Sequence, residues 1–122
     1  MDDRGSGKLV LVIEDNVDAG DSLADVLELS GHRVLVARDG RSGIAKAHEV
    51  RPDVVLCDIG LPDLDGYEVA RRIRLDPALV TTRLIALSGY AQPEDRERAR
   101  CAGFEAHLAK PPRLEQLEQM IW

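Results

Sequence analysis

An α/β fold, built on a five-stranded parallel sheet with helices on both faces, is predicted by two observations. Short β-branched runs alternate along the chain with segments whose apolar residues recur at helical spacing. The runs are continuous in apolarity instead of alternating, as strands covered on both faces must be. The 122 residues suffice for one domain, which can bury roughly two-thirds of its unfolded surface without disulfides or metals.

The first run, Leu9 to Ile13, ends at Glu14-Asp15-Asn16. From Ala19 onward, Ala19, Leu23, Val26 and Leu27 follow helical spacing, and Gly31 offers a stop. Val34 to Ala37 is a second strand closed by Asp39-Gly40, and Gly43, Ile44, Ala47 and Val50 mark one face of a second helix that ends before Pro52. Val54 to Cys57 is a third buried strand ending at Asp58. A loop with Pro62, Asp63, Asp65 and Gly66 then leads to a helix with Val69, Ala70 and Ile73 inward. Leu84 to Leu87 is the fourth strand, ending at Ser88-Gly89, and a charged helix starts near Pro93, a favourable first-turn residue. Ala106 to Ala109 forms a weak fifth strand before Lys110-Pro111-Pro112, and Leu114, Leu117 and Ile121 mark the last helix.

Composition narrows the function. A formal charge of -6 argues against direct contact with nucleic acid, where a basic stripe is required, and against an anionic membrane surface. No stretch has the length of a membrane-spanning helix, and MDDRGSGK lacks the apolar run of a signal peptide. Cys57 and Cys101 have neither the number nor the spacing of a disulfide framework or zinc site, so a reducing cytoplasm is the expected location. Cys57, inside an apolar run, reads as a small core residue.

In an open α/β sheet, ligands sit beyond the carboxyl ends of the strands. Those ends carry Glu14, Asp15, Asp58, Ser88 and Lys110. Each alone has an ordinary explanation as a helix start, a turn or a surface lysine. Together they place three carboxylates, a hydroxyl and an ammonium on one rim, which is costly unless they share a ligand. Crowded carboxylates repel and raise one another's pKa values, and a divalent cation relieves that repulsion. An all-oxygen set favours a hard ion, and magnesium typically takes one or two carboxylates plus waters and phosphate oxygens. The lysine can then neutralise a bound phosphoryl group, and positioning plus charge stabilisation is most of what phosphoryl transfer asks of a protein.

The segments LVLVIEDNVD, VVLCDIGLPDLDGYEVARRIR, LIALSGYA and AHLAKPP resemble the receiver domain of two-component response regulators, over about residues 8 to 121. The wording is similar to that of receivers joined to hybrid sensor histidine kinases. The resemblance implies a flavodoxin-like (βα)5 fold with strand order 2-1-3-4-5, a receiver over residues 8–122 and a flexible N-terminus over residues 1–7. It implies that Asp58 accepts a phosphoryl group from a phosphohistidine on a sensor histidine kinase or histidine phosphotransfer protein. Asp15 and Asp58 match direct magnesium ligands, with the backbone carbonyl of Gly60 as a third and Glu14 reaching the ion through water. Lys110 matches the lysine that pairs with Asp58 and then with the phosphate, Ser88 the hydroxyl that holds the phosphate, and Lys110-Pro111 a cis bond. The domain so implied is a signalling switch and not a conventional enzyme, assisting only its own phosphorylation and dephosphorylation. A phosphorylation-dependent dimer through the face of the fourth helix, fifth strand and fifth helix is also within the family's repertoire.

The pattern departs from the family in one place. Three residues before the lysine, where receivers usually carry Tyr or Phe as an inward-turning switch, stands His107. Its plain reading is a half-buried histidine satisfied by backbone or water; a swing of His107 would make switching pH-dependent, because its ordinary pKa is near 6.5. Gly60 and Tyr90 occupy the positions that tune how fast the phosphoryl group is hydrolysed. The charged helix after Pro93, with only Ala99, Cys101 and Ala102 small enough to pack closely, reads as a solvated, partner-facing element.

Other readings compete. A phosphatase working through an aspartyl phosphate would carry a second Asp where Gly60 stands. A nucleotide- or flavin-binding module would need its glycine-rich loop after the first strand, whereas GSGK precedes it. A receiver-shaped module that only binds protein has no use for the full set of rim residues. No output domain is expected after Trp122, whether the receiver stands alone or belongs to a longer protein.

Overall fold

The computed structural model describes residues 7–89 and 92–122. Five strands and five helices alternate: β1 (Leu9–Ile13), α1 (Val17–Leu29), β2 (Arg33–Ala37), α2 (Gly40–Val50), β3 (Val54–Asp58), α3 (Gly66–Arg74), β4 (Arg83–Ser88), α4 (Pro93–Ala102), β5 (Ala106–Ala109) and α5 (Leu114–Ile121). A 3-10 turn over Pro77–Leu79 lies between α3 and β4. All strands pair in parallel, in the order β2-β1-β3-β4-β5. This is the flavodoxin-like arrangement, with β3 in the middle.

Because strand residues point alternately to the two faces, each strand feeds two cores. Leu11, Ile13, Val55, Cys57, Leu84 and Ala86 pack with α2, α3 and α4 through Ala47, Val69, Ile73 and Ala99. Val10, Val12, Val54, Leu56, Ile85 and Leu87 pack on the other face against Leu27 of α1 and Leu117 and Ile121 of α5. Leu56 and Ile73 are fully buried, and truncating either to Ala would cost about 2–5 kcal/mol.

The helix starts are set by short polar side chains. Asn16, Asp39 and Asp65 each accept a hydrogen bond from the backbone N–H three residues on, at 2.8, 2.7 and 2.8 Å. The Asn16 cap starts α1 at Val17, two residues before the first apolar residue of the periodic pattern. Gly103, with φ +116, ends α4 in a conformation that side chains resist. Of the small residues on α4, Ala99 and Ala102 are buried, whereas Cys101 is exposed and not packed inward as the sequence suggested. Gly7 approaches the backbone of Gly31 so closely that a Cβ would lie 1.9 Å from the Gly31 carbonyl oxygen; the six residues before it lie outside the described set. Among the described residues, no helix is long and apolar enough to cross a membrane.

Candidate functional site

The carboxyl ends of β1 and β3 are neighbours in the sheet, which brings Glu14, Asp15 and Asp58 together. One carboxylate oxygen from each lies within 4.8 Å of the others, Glu14 and Asp58 being buried and Asp15 exposed. The donor set is all oxygen, with an open side at Asp15, and it fits a hard divalent cation.

Lys110, at the end of β5, reaches across the rim. Its Nζ lies 2.7 Å from Glu14 Oε1 and 3.1 Å from Asp58 Oδ1. The lysine therefore bridges two acids, with the shorter contact to Glu14. Burial works against the ammonium, but the hydrogen bonds it donates to Glu14 and Asp58 outweigh it and hold the Lys110 pKa above its ordinary value. Burial raises the Glu14 pKa, with the charge on Asp58 adding to it and the bonds from Lys110 and the Asn16 N–H opposing. The Lys110-Pro111 peptide is cis.

Asp58 Oδ1 also accepts from the Gly60 N–H at 3.2 Å. The backbone beyond Asp58 turns tightly: the Gly66 N–H donates to the Ile59 carbonyl at 2.8 Å, and a Cβ on Gly66 would lie 2.7 Å from the Asp58 carbonyl oxygen. Asp63 ties this loop to α2 by accepting from the N–H groups of Gly40 and Arg41 at 2.7 and 2.9 Å. Ser88, buried at the end of β4, faces a cavity of about 350 Å³ lined also by Asp58, Gly60, Tyr67, Asp95 and Arg98.

The structure thus brings Glu14, Asp15, Asp58 and Lys110 into one cluster and sets Ser88 and Gly60 on an adjoining cavity. His107 stands apart on β5, in a small cleft with Arg96, Ala99 and Phe104. It is half-buried, but neither ring nitrogen has a hydrogen-bond partner among the described residues, where a backbone partner was one expectation. Burial, and secondarily the Arg96 charge, lowers its pKa below 6.5. Tyr90 lies outside the described residues. Sequence reasoning did not single out Tyr67, Asp95 and Arg98 as walls of the cavity. The signal was available: Asp95, Arg98, Ala99 and Ala102 share one face of α4 by helical spacing.

A parallel sheet whose acids gather at the carboxyl rim, beside a lysine from the last strand, is the construction of a phosphorylation-dependent signalling switch. The chain belongs to the response regulator receiver domain family, whose profile matches residues 10–122. Among curated proteins it is similar to the polar-differentiation response regulator DivK of Brucella anthropi, with 36% identity over 104 residues and 85% of each chain covered. Among solved structures it resembles the receiver domain of the sensor histidine kinase PA1611 from Pseudomonas aeruginosa, at 34% identity, 94% of each chain and a TM-score of 0.86. That structure is described with a magnesium ion coordinated in its active-site cleft. The chemotaxis response regulator CheY4 of Vibrio cholerae gives 27% identity, 92% of this chain, 97% of that one and a TM-score of 0.87.

Proposed function

We propose that this receiver, formed by residues 8–122, takes a phosphoryl group onto Asp58 from a phosphohistidine. The observation that carries the reading is the 3.1 Å contact of Asp58 with Lys110 inside a cluster of three carboxylates. Asp58 Oδ2 attacks phosphorus, a P–O bond forms as the P–N bond to the donor histidine breaks, and the imidazole leaves with its electron pair and takes a proton. Lys110 passes from the carboxylates to a phosphoryl oxygen, and the Ser88 hydroxyl donates to another. A Mg2+ ion on Asp15, Asp58, the Gly60 carbonyl and, through water, Glu14 would supply neutralising charge to the phosphoryl oxygens. The same residues assist hydrolysis of the acyl phosphate, so the protein is a switch that resets itself.

The partner is a sensor histidine kinase or histidine phosphotransfer protein in the cytoplasm. An apolar groove of about 460 Å³ between α1 and α5, with Leu23, Val26, Pro111, Pro112 and Leu114 along it and Glu14 and Lys110 at its edge, supports docking of the donor beside the site. The face of α4, β5 and α5 is left for output, including a phosphorylation-dependent dimer. Switching a population from 1:99 to 99:1 takes about 5.5 kcal/mol of differential binding. One charged hydrogen bond from Ser88 is worth roughly 1.5–3 kcal/mol, so the output partner must share the work.

Intact mass after incubation with acetyl phosphate tests the chemistry. One phosphoryl adduct is expected, dependent on Mg2+ and absent in Asp58→Asn. No adduct, together with no binding of beryllofluoride, would leave only a binding module.

A further inference from the structure

We propose that Arg98 is a second side-chain cation for the phosphoryl group, reaching it from α4 while Lys110 reaches it from the end of β5. This rests on the phosphoacceptor reading of Asp58. Arg98 lines the same cavity as Asp58, Gly60 and Ser88. Its guanidinium carbon lies 4.2 Å from the centroid of the Tyr67 ring, and Tyr67 is itself buried at the start of α3. The ring holds the flat cation in place without using its N–H groups, which stay available for an anion. Among the described residues, no carboxylate forms an ion pair with Arg98, whereas Arg38, Arg71, Arg72 and Arg100 each have one.

Charge gives the cation a purpose. After transfer, the Asp58 carboxyl is part of an acyl phosphate and has lost its own charge, and the phosphoryl group brings a charge of about -2 at neutral pH. Glu14 and Asp15 remain negative. Lys110 and a bound divalent ion leave about one negative charge unmatched, and Asp95 on the cavity wall adds to it. A guanidinium on that wall offsets one unit of this excess, and its planar fork can engage two phosphoryl oxygens at once.

The test measures beryllofluoride affinity at saturating Mg2+ by calorimetry, for wild type, Arg98→Ala and Arg98→Lys, with Mg2+ affinity measured separately. Loss of a charged hydrogen bond predicts beryllofluoride binding weakened about tenfold or more in Arg98→Ala. Arg98→Lys should fall between the two, and Mg2+ affinity should stay within about twofold in both, because the ion sits on the acids. Beryllofluoride affinity in Arg98→Ala equal to wild type would overturn the proposal. So would an equal loss of Mg2+ and beryllofluoride affinity, which would mark a general disturbance of the site. If wild type itself binds no beryllofluoride, the phosphoacceptor reading fails first and takes this inference with it.

Discussion

The two ends of the sheet are built to opposite purposes. At the carboxyl end, three carboxylates crowd within 4.8 Å, with one lysine bridging two of them. At the amino end, polar side chains close the chain on itself. Asp53 accepts the Leu9 N–H at 2.8 Å, His32 Nδ1 accepts the Lys8 N–H at 3.0 Å, and the Thr82 hydroxyl donates to the Pro52 carbonyl at 2.8 Å. Arg74 donates to the carbonyls of Gly103, Leu79 and Thr82 at 3.1, 3.1 and 2.7 Å, tying the end of α3 to the end of α4 and the entry to β4. The amino end holds the fold together. The carboxyl end stores repulsion that a ligand can relieve.

That division predicts where substitutions act. Asp58→Asn should abolish phosphoryl incorporation and yet leave urea stability in Mg2+-free buffer unchanged or raised, since it removes one of three repelling charges. A clear loss of stability would mean that the acid cluster is part of the structural framework after all. Arg74→Met should do the reverse. It takes the Arg74 donor from the Gly103 and Thr82 carbonyls, at a cost of about 2–4 kcal/mol by chemical unfolding, while the rate of phosphorylation by acetyl phosphate stays at the wild-type level. A coupled loss of rate would erase the distinction between the two ends.

Magnesium sharpens the contrast. An ion that binds only the folded state at a hundred times its Kd adds about 2.7 kcal/mol. Wild type and Arg74→Met should both gain it, and Asp15→Asn should gain little; an equal gain in Asp15→Asn would remove that residue from the site. The smallest effect is expected at His107. Its folded pKa lies below the usual 6.5, so the unfolded chain takes up a proton where the folded protein does not. Stability from this residue is therefore present above pH 6.5 and declines as pH falls through that value. His107→Phe should flatten the profile between pH 7 and pH 5, and identical slopes in the two proteins would contradict it.

Much of this was legible in the sequence because burial leaves a plain mark. β1, β3 and β4 are covered on both faces, and their unbroken apolar runs placed them to within a residue. Rim residues followed from them, since a strand end fixes the position of the next side chain. Features made by tertiary contact were less legible. Tyr67 and Phe104 are buried by their neighbours and not by any periodic pattern of their own. The turn at Pro77–Leu79 had a local signal in Asp76-Pro77, where Asp76 accepts the Ala78 N–H, but it was hidden between two stronger elements. The apolar stripe of α1 that follows helical spacing is only partly buried. Leu27 is buried, while Ala19 and Val26 are exposed along the groove with α5. Periodicity identifies an apolar stripe without saying whether the chain itself covers it.

Gly60 carries a consequence of its own. It is exposed beside Asp58, and a Cβ there would meet nothing within 4 Å. The position is a vacant socket next to Asp58, with open space where a Cβ would stand. If Asp58 carries an acyl phosphate as proposed, the bare socket puts no side chain between that group and water. Filling the socket would change how water reaches that group, so the duration of the signal would be set at a position outside the three acids.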